Sequence, residues 1–163
     1  DFAIISWDKF FETSIEHIMP KTYQDYWSDT MSNYLSQKSF SEEERYVAIK
    51  TLLNSLGNLT IIRDKKNSSL GNNPWETKVK AYANGSFSER QISSKTEWHP
   101  WSAESILNRG KVLLKYLIDY LDVVIIAEEK KETYEAEMLF GALKYVPGTA
   151  SEAEDNSEAT ATE

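Results

Sequence analysis

The sequence contains no cysteine, only two histidines and no long apolar run. Without cysteine, neither disulfides nor thiolate metal sites can form, and this is typical of a reducing compartment, so we expect a cytoplasmic protein. The longest apolar run, Val123 to Ala127, has five residues, whereas a membrane-spanning helix needs roughly 20. No basic segment followed by an apolar stretch opens the chain, so we expect no signal peptide. These absences argue against a disulfide-rich secreted domain and against an integral membrane protein.

The chain does contain enough apolar material for one folded domain. Apolar residues make up 40% of the 163 positions, and 5 Trp, 9 Tyr and 6 Phe are among them, which is more than disordered chains carry. We therefore predict a single domain over residues 1–146. From Pro147 onward the chain has five acidic residues, no basic residue and little to bury, so we predict a disordered acidic tail over residues 147–163.

The net charge of -8 argues at first against a nucleic-acid-binding protein, but the charge is unevenly distributed. Residues 1–44 hold 3 basic and 9 acidic side chains, residues 45–115 hold 12 and 5, and residues 116–163 hold 3 and 12. The middle of the chain therefore carries +7, enough for a face that neutralises several phosphates.

Hydrophobic spacing and capping residues predict an α+β domain that is mostly helical. Ser41 and Glu44 have the spacing of a capping box, which predicts a helix from about 42 to 56, ended by Gly57. Two short β-prone runs, Ser14–Met19 and Leu59–Ile62, are predicted to pair. Further helices are predicted over about 74–83, from Ser102 onward, and over about 128–145, with a loop between 84 and 102.

One pair of adjacent side chains, Glu16 and His17, has the residue types that hydrolysis needs. Near neutral pH a histidine accepts a proton from water, and a carboxylate holds a divalent cation. Successive strand residues point to opposite faces, so the two side chains converge only if the strand twists or ends there. Asn67 follows Asn58 by nine residues. Its amide oxygen is a potential metal ligand, while Asn58 is placed to hydrogen-bond the backbone of the histidine loop.

Taken together, these short motifs resemble the HNH, or ββα-metal, nucleases. The closest likeness is to the C-terminal nuclease domain of GmrSD-type modification-dependent restriction enzymes, and it covers roughly residues 14 to 120. The motifs that carry it are Glu16-His17-Ile18-Met19-Pro20, then Gly57-Asn58-Leu59-Thr60-Ile61, then Asn67 with Leu70, Asn72, Trp75 and Lys78, and finally Trp101 with Ile106 and Arg109.

The resemblance implies a ββα-metal hairpin and helix embedded in a mostly helical domain, and it implies a role for each motif residue. His17 would activate the attacking water, Glu16 and Asn67 would hold the metal, and Asn58 would position the histidine loop. Carboxylate and amide oxygens are hard donors, which favour Mg²⁺ or Mn²⁺. The family also implies a bacterial anti-phage restriction system acting on modified or foreign DNA, with an N-terminal sensing or NTPase domain or subunit as partner.

Six polar side chains are candidates for DNA contact, although a solvated basic face would have the same composition. They are Lys65, Lys66, Asn72, Lys78, Lys80 and Arg109. His99, between Trp98 and Trp101, is interpreted as a packing residue rather than a base-stacking one. Two alternatives to a DNA endonuclease stay open: a catalytically inactive HNH-like domain that binds DNA or serves assembly, and a nonspecific ribonuclease.

Overall fold

The structure is a computed structural model that describes residues 12–121 and 131–148. Two strands and seven α-helices lie in these ranges. The strands are β1 (Thr13–His17) and β2 (Leu59–Arg63), and the helices are α1 (Ser28–Ser36), α2 (Glu42–Asn54), α3 (Asp64–Leu70), α4 (Trp75–Tyr82), α5 (Phe87–Ser94), α6 (Ala103–Leu121) and α7 (Lys131–Phe140). This arrangement confirms a mostly helical α+β domain. The run at 123–127, the first 11 residues and the predicted tail from 149 onward lie outside the described residues.

The two strands pair antiparallel in a small sheet, with Glu16 opposite Thr60 and His17 opposite Leu59. The predicted pairing is therefore confirmed. Helix α3 follows β2 without a break and packs against both strands. The two strands form a wide hairpin, with α1 and α2 between them in the chain, and together with α3 they bring three separate sequence motifs to one side of the molecule.

A cluster of buried aromatic and aliphatic side chains holds the helices around the sheet. Trp27 and Trp101 are both 2% exposed, and Trp101 stacks on Trp75 with ring centroids 5.4 Å apart. Burying a large apolar side chain stabilises a fold by roughly 1.5–3 kcal/mol. These tryptophans therefore hold the helical segments around the sheet.

A short 3₁₀ turn over Leu56–Asn58 connects α2 to β2 and lies directly on α6. A Cβ on Gly57 would lie 1.8 Å from the carbonyl oxygen of Ile106, so only glycine permits this close approach. The buried guanidinium of Arg109 donates to the carbonyl oxygens of Gly57 (2.7 Å) and Leu59 (2.9 Å). The start of β2 is thus fixed against the longest helix.

The helix boundaries differ from the sequence prediction in ways that have local causes. Helix α2 begins after the predicted capping box at Ser41 but ends at Asn54, because Gly57 serves the contact with α6 and not the helix end. The predicted loop after residue 84 contains α5, whose N-terminus has a capping box of its own, Ser86 with Glu89. Among the described helices, none is long and apolar enough to cross a membrane.

Candidate active site

The ends of β1 and α3 border an open pocket of about 180 Å³. Strand β1 ends at His17, and both Glu16 and His17 line the pocket. The lining residues are Ile15, Glu16, His17, Pro20, Lys21, Asn67, Gly71 and Asn72. The structure therefore brings His17 and Asn67, fifty residues apart in the sequence, to the same cavity.

His17 is half-buried at the end of β1. Its Nε2 lies 3.3 Å from Oδ1 of Asn54, the last residue of α2. Burial lowers the pKa of the His17 imidazole below its ordinary value of 6.5; the bond to Asn54 opposes this shift and the charge of Lys21 adds to it. A neutral imidazole, the form that accepts a proton, therefore persists below the usual pH range of histidine.

Glu16 is 3% exposed, and its carboxylate is held by two buried groups of α4. The Nζ of Lys78 donates to Oε1 at 2.7 Å, and the hydroxyl of Tyr82 donates to the same oxygen at 2.9 Å. Burial lowers the pKa of Lys78, whereas the adjacent Glu16 raises it. Lys78 also donates to the backbone carbonyl of His17 at 3.0 Å. One buried ammonium thus fixes the side chain of Glu16 and the main chain of His17.

Asn67 lies in the middle of α3 and faces β1. Its Nδ2 donates to Ser14 Oγ at 2.8 Å and to the carbonyl of Ile15 at 3.1 Å. Both amide hydrogens are therefore used by the strand. The Oδ1 atom of Asn67 accepts no hydrogen bond from the described residues and remains as a potential ligand at the pocket.

Asn58 is fully buried behind the pocket and binds the backbone that follows His17. Its Oδ1 accepts from the amide of Met19 at 2.8 Å, and its Nδ2 donates to the carbonyls of Met19 and Leu53 at 2.9 Å each. Trp101 Nε1 lies 3.4 Å from the same Oδ1. Because these bonds use the whole side-chain amide, Asn58 acts on the site through the backbone and not on a ligand.

Comparison with known protein families identifies the chain. Residues 3–116 match the profile of the family described as "GmrSD restriction endonucleases, C-terminal domain". The chain belongs to this family. The match covers well over half of the sequence, so the GmrSD C-terminal domain includes the hairpin, α3 and the pocket. Neither the curated proteins nor the solved structures contain a match.

In this GmrSD domain, few groups are available to hold a cation at the pocket. Within residues 12–121 and 131–148, no three His, Cys, Asp or Glu side chains are grouped closely enough to bind a metal. Two hard oxygens are available instead. Oδ1 of Asn67 is one, and the other is Oε2 of Glu16, since both hydrogen bonds to that carboxylate use Oε1. Mg²⁺ commonly keeps several waters and takes only one or two protein oxygens, so this donor set fits it.

The structure separates the six predicted DNA contacts into two groups. Lys65, Lys80 and Asn72 are exposed, and Asn72 lines the pocket. The prediction of phosphate contacts needs correction for Lys78 and Arg109, which are 0% and 2% exposed. Both cations already bind protein groups, Lys78 the Glu16 carboxylate and Arg109 the carbonyls of the turn before β2.

Two further lysines, Lys66 and Lys21, differ in their surroundings. Lys66 is also held by protein groups, because it pairs with Glu89 and donates to the carbonyl of Ala81 at 2.8 Å. Lys21, which sequence reasoning missed, is exposed at the pocket, and its charge acts on His17. Its position directly after Pro20 of the histidine motif was the available signal. Asn54, the partner of the His17 ring, belongs to no motif, so the sequence carries no signal for its role.

Proposed function

We propose that this chain is a divalent-metal-dependent DNA endonuclease domain of the HNH, ββα-metal type, which hydrolyses phosphodiester bonds. The family name describes its members as parts of restriction endonucleases. The observation that supports the proposal most strongly is the meeting of His17, Glu16 and Asn67 at one pocket, where β1, β2 and α3 join. A base and two hard oxygen donors beside one cavity are the groups that metal-assisted hydrolysis needs.

In this mechanism, His17 takes the proton of the attacking water. The lowered pKa keeps the imidazole neutral at physiological pH, so that it can accept this proton. Lys78 and Asn58 hold the backbone at and just after the base, at the carbonyl of His17 and the amide of Met19. The base is therefore fixed before the substrate arrives, and this reduces the entropy cost of reaching the reactive geometry.

Glu16 and Asn67 would hold the metal through Oε2 and Oδ1. A bound Mg²⁺ or Mn²⁺ supplies positive charge that stabilises the phosphate and the departing oxygen. Lys78 fixes the Glu16 carboxylate, and the bonds to Ser14 and Ile15 fix the Asn67 amide, so both groups are held in place before a cation binds.

The substrate proposed is the phosphate backbone of DNA, bound by exposed cations. Lys21 lies at the pocket, and Lys65 and Lys80 are exposed on α3 and α4. Phosphate contacts of this kind position a duplex without selecting its sequence. Selection would then belong to an N-terminal sensing or NTPase domain or subunit, in an anti-phage restriction system of the cytoplasm that cuts modified or foreign DNA.

The test is cleavage of supercoiled plasmid and of single-stranded RNA by the purified chain in EDTA, Mg²⁺ and Mn²⁺. We expect DNA cleavage with either metal and none in EDTA. The His17→Ala variant should lose about 10²–10⁴-fold in rate, the usual contribution of a general base. His99→Gln is the matched control, because His99 is the chain's other histidine and its ring packs on Trp75, 5.0 Å between centroids.

Three results would each contradict the proposal. Equal cleavage by the wild type and the His17→Ala variant would exclude His17 as the general base. Cleavage restricted to RNA would favour the nonspecific ribonuclease. DNA binding without cleavage under any metal would favour an inactive assembly domain.

A further inference from the structure

We propose that Asn54 is a positioning residue that holds the His17 ring with its hydrogen on Nε2 and leaves Nδ1 as the atom that accepts the proton of water. This inference rests on the proposed function, because it assigns the basic atom of the same site. It adds a residue that belongs to none of the motifs of the family resemblance. The observation behind it is the contact between Nε2 of His17 and Oδ1 of Asn54 at 3.3 Å.

The orientation of the Asn54 amide follows from its own helix. Its Nδ2 donates to the carbonyl of Lys50, one turn earlier in α2, at 2.8 Å. If the amide were flipped, its oxygen would face that carbonyl oxygen at the same short distance, and two acceptors would repel each other. The atom directed at His17 is therefore an oxygen, which only accepts hydrogen bonds.

An acceptor beside Nε2 determines which ring nitrogen carries the hydrogen. In a neutral imidazole one nitrogen donates and the other accepts. With Nε2 donating to Asn54, the lone pair available for catalysis lies on Nδ1. No described residue forms a hydrogen bond with Nδ1, so this nitrogen is left for a water molecule.

The end of α2 is well placed for this role because it is fixed independently of His17. The carbonyl of Leu53, the residue before Asn54, accepts from the buried Nδ2 of Asn58 at 2.9 Å. Asn58 also holds both the amide and the carbonyl of Met19, two residues after the base. One buried side chain thus sets the distance between the helix end that carries Asn54 and the segment that carries His17.

The experiment combines nuclear magnetic resonance of the histidine-labelled chain with single-turnover and steady-state DNA cleavage. The NMR spectra are recorded well above pH 6.5, where the ring is neutral, and without metal or DNA. In the wild type we expect the His17 hydrogen on Nε2, in slow exchange with water. The Asn54→Ala variant should lose that protection and show a mixture of tautomers. Its kcat should fall by about 10-fold or more, a part of the contribution of a general base, with KM nearly unchanged.

The Asn54→Asp variant loses the bond to the Lys50 carbonyl, but it keeps an oxygen acceptor for Nε2, so it should restore the Nε2 hydrogen and part of kcat. Asn108→Ala, an exposed asparagine on α6, is the control and should change neither measurement. A hydrogen on Nδ1 in the wild type would overturn the inference. So would an Asn54→Ala variant that keeps the protected Nε2 hydrogen and full kcat. Because the spectra need no DNA, they test the contact even if the wild type does not cut, which is the outcome that refutes the proposed function instead.

Discussion

Replacing Asn58 by alanine should destabilise the whole domain, because this one amide holds three backbone groups from two segments. The groups are the amide and the carbonyl of Met19 and the carbonyl of Leu53, each bound at 2.8–2.9 Å. Asn58 itself is 0% exposed, so water does not replace it at the native surface. Each buried group that loses its partner costs roughly 1–3 kcal/mol. We therefore expect the free energy of unfolding to fall by about 3–5 kcal/mol. This is less than the largest sum for three groups, because the structure around the mutation relaxes and recovers part of the lost bonding.

Urea denaturation measures this loss, and Asn108→Ala is the exposed control. The Asn58→Ala variant should unfold at a lower urea concentration than the wild type. The dependence of its unfolding free energy on urea should be unchanged, since the surface exposed on unfolding is the same. Asn58→Asp keeps the acceptor for Met19 but directs a second oxygen at two carbonyls, so it should be no more stable than Asn58→Ala at neutral pH. A loss below about 1 kcal/mol for Asn58→Ala would refute the argument that these bonds hold the site together.

Three further predictions concern charged and titratable groups of the site. Lys78→Met should lower the free energy of unfolding by about 3–5 kcal/mol, because it leaves the Glu16 carboxylate buried without its cation. The double variant with Glu16→Gln should recover part of this loss in the same denaturation assay, and a double variant as unstable as the single one would contradict the pairing. The pKa of His17 lies below 6.5, so kcat/KM should fall on the acid side with a midpoint below 6.5. The pKa of His17 is lower in the folded state than in the unfolded state. The stability contributed by neutral His17 is therefore present above pH 6.5 and is lost as pH falls through the folded pKa. His17→Ala should abolish this part of the pH dependence of the unfolding free energy.

Much of the hairpin and pocket follows from local sequence signals. Pro20 closes one β-prone run and Gly57 precedes the other, so both strands have clear ends and their pairing is predictable. The capping box at Ser41 predicts the start of α2, and the same signal at Ser86 marks the start of α5, in a segment predicted to be loop. The capping pattern was present, but Asn84-Gly85, a pair that commonly ends a helix, directs the interpretation toward a loop.

The roles of the buried cations were not predictable in the same way. Lys78 and Arg109 have the composition of a DNA-binding face, yet tertiary packing places Lys78 beside Glu16 and Arg109 beside the turn at Gly57. Such long-range pairs depend on how α4 and α6 pack on the hairpin. Hydrophobic periodicity indicates which helix face is buried but not which buried carboxylate or carbonyl a given lysine or arginine meets. The contact of Asn54 with His17 depends on packing in the same way.

The most direct test of the central claim is a titration of the isotope-labelled chain with Mn²⁺, followed by paramagnetic broadening of its backbone amide resonances. If Glu16 and Asn67 hold a cation beside His17, low Mn²⁺ should first broaden the signals around these three residues. The Asn67→Ala variant should then need several-fold more Mn²⁺ for the same effect. Broadening confined to the acidic C-terminal part of the chain, with the pocket signals unchanged, would contradict the account.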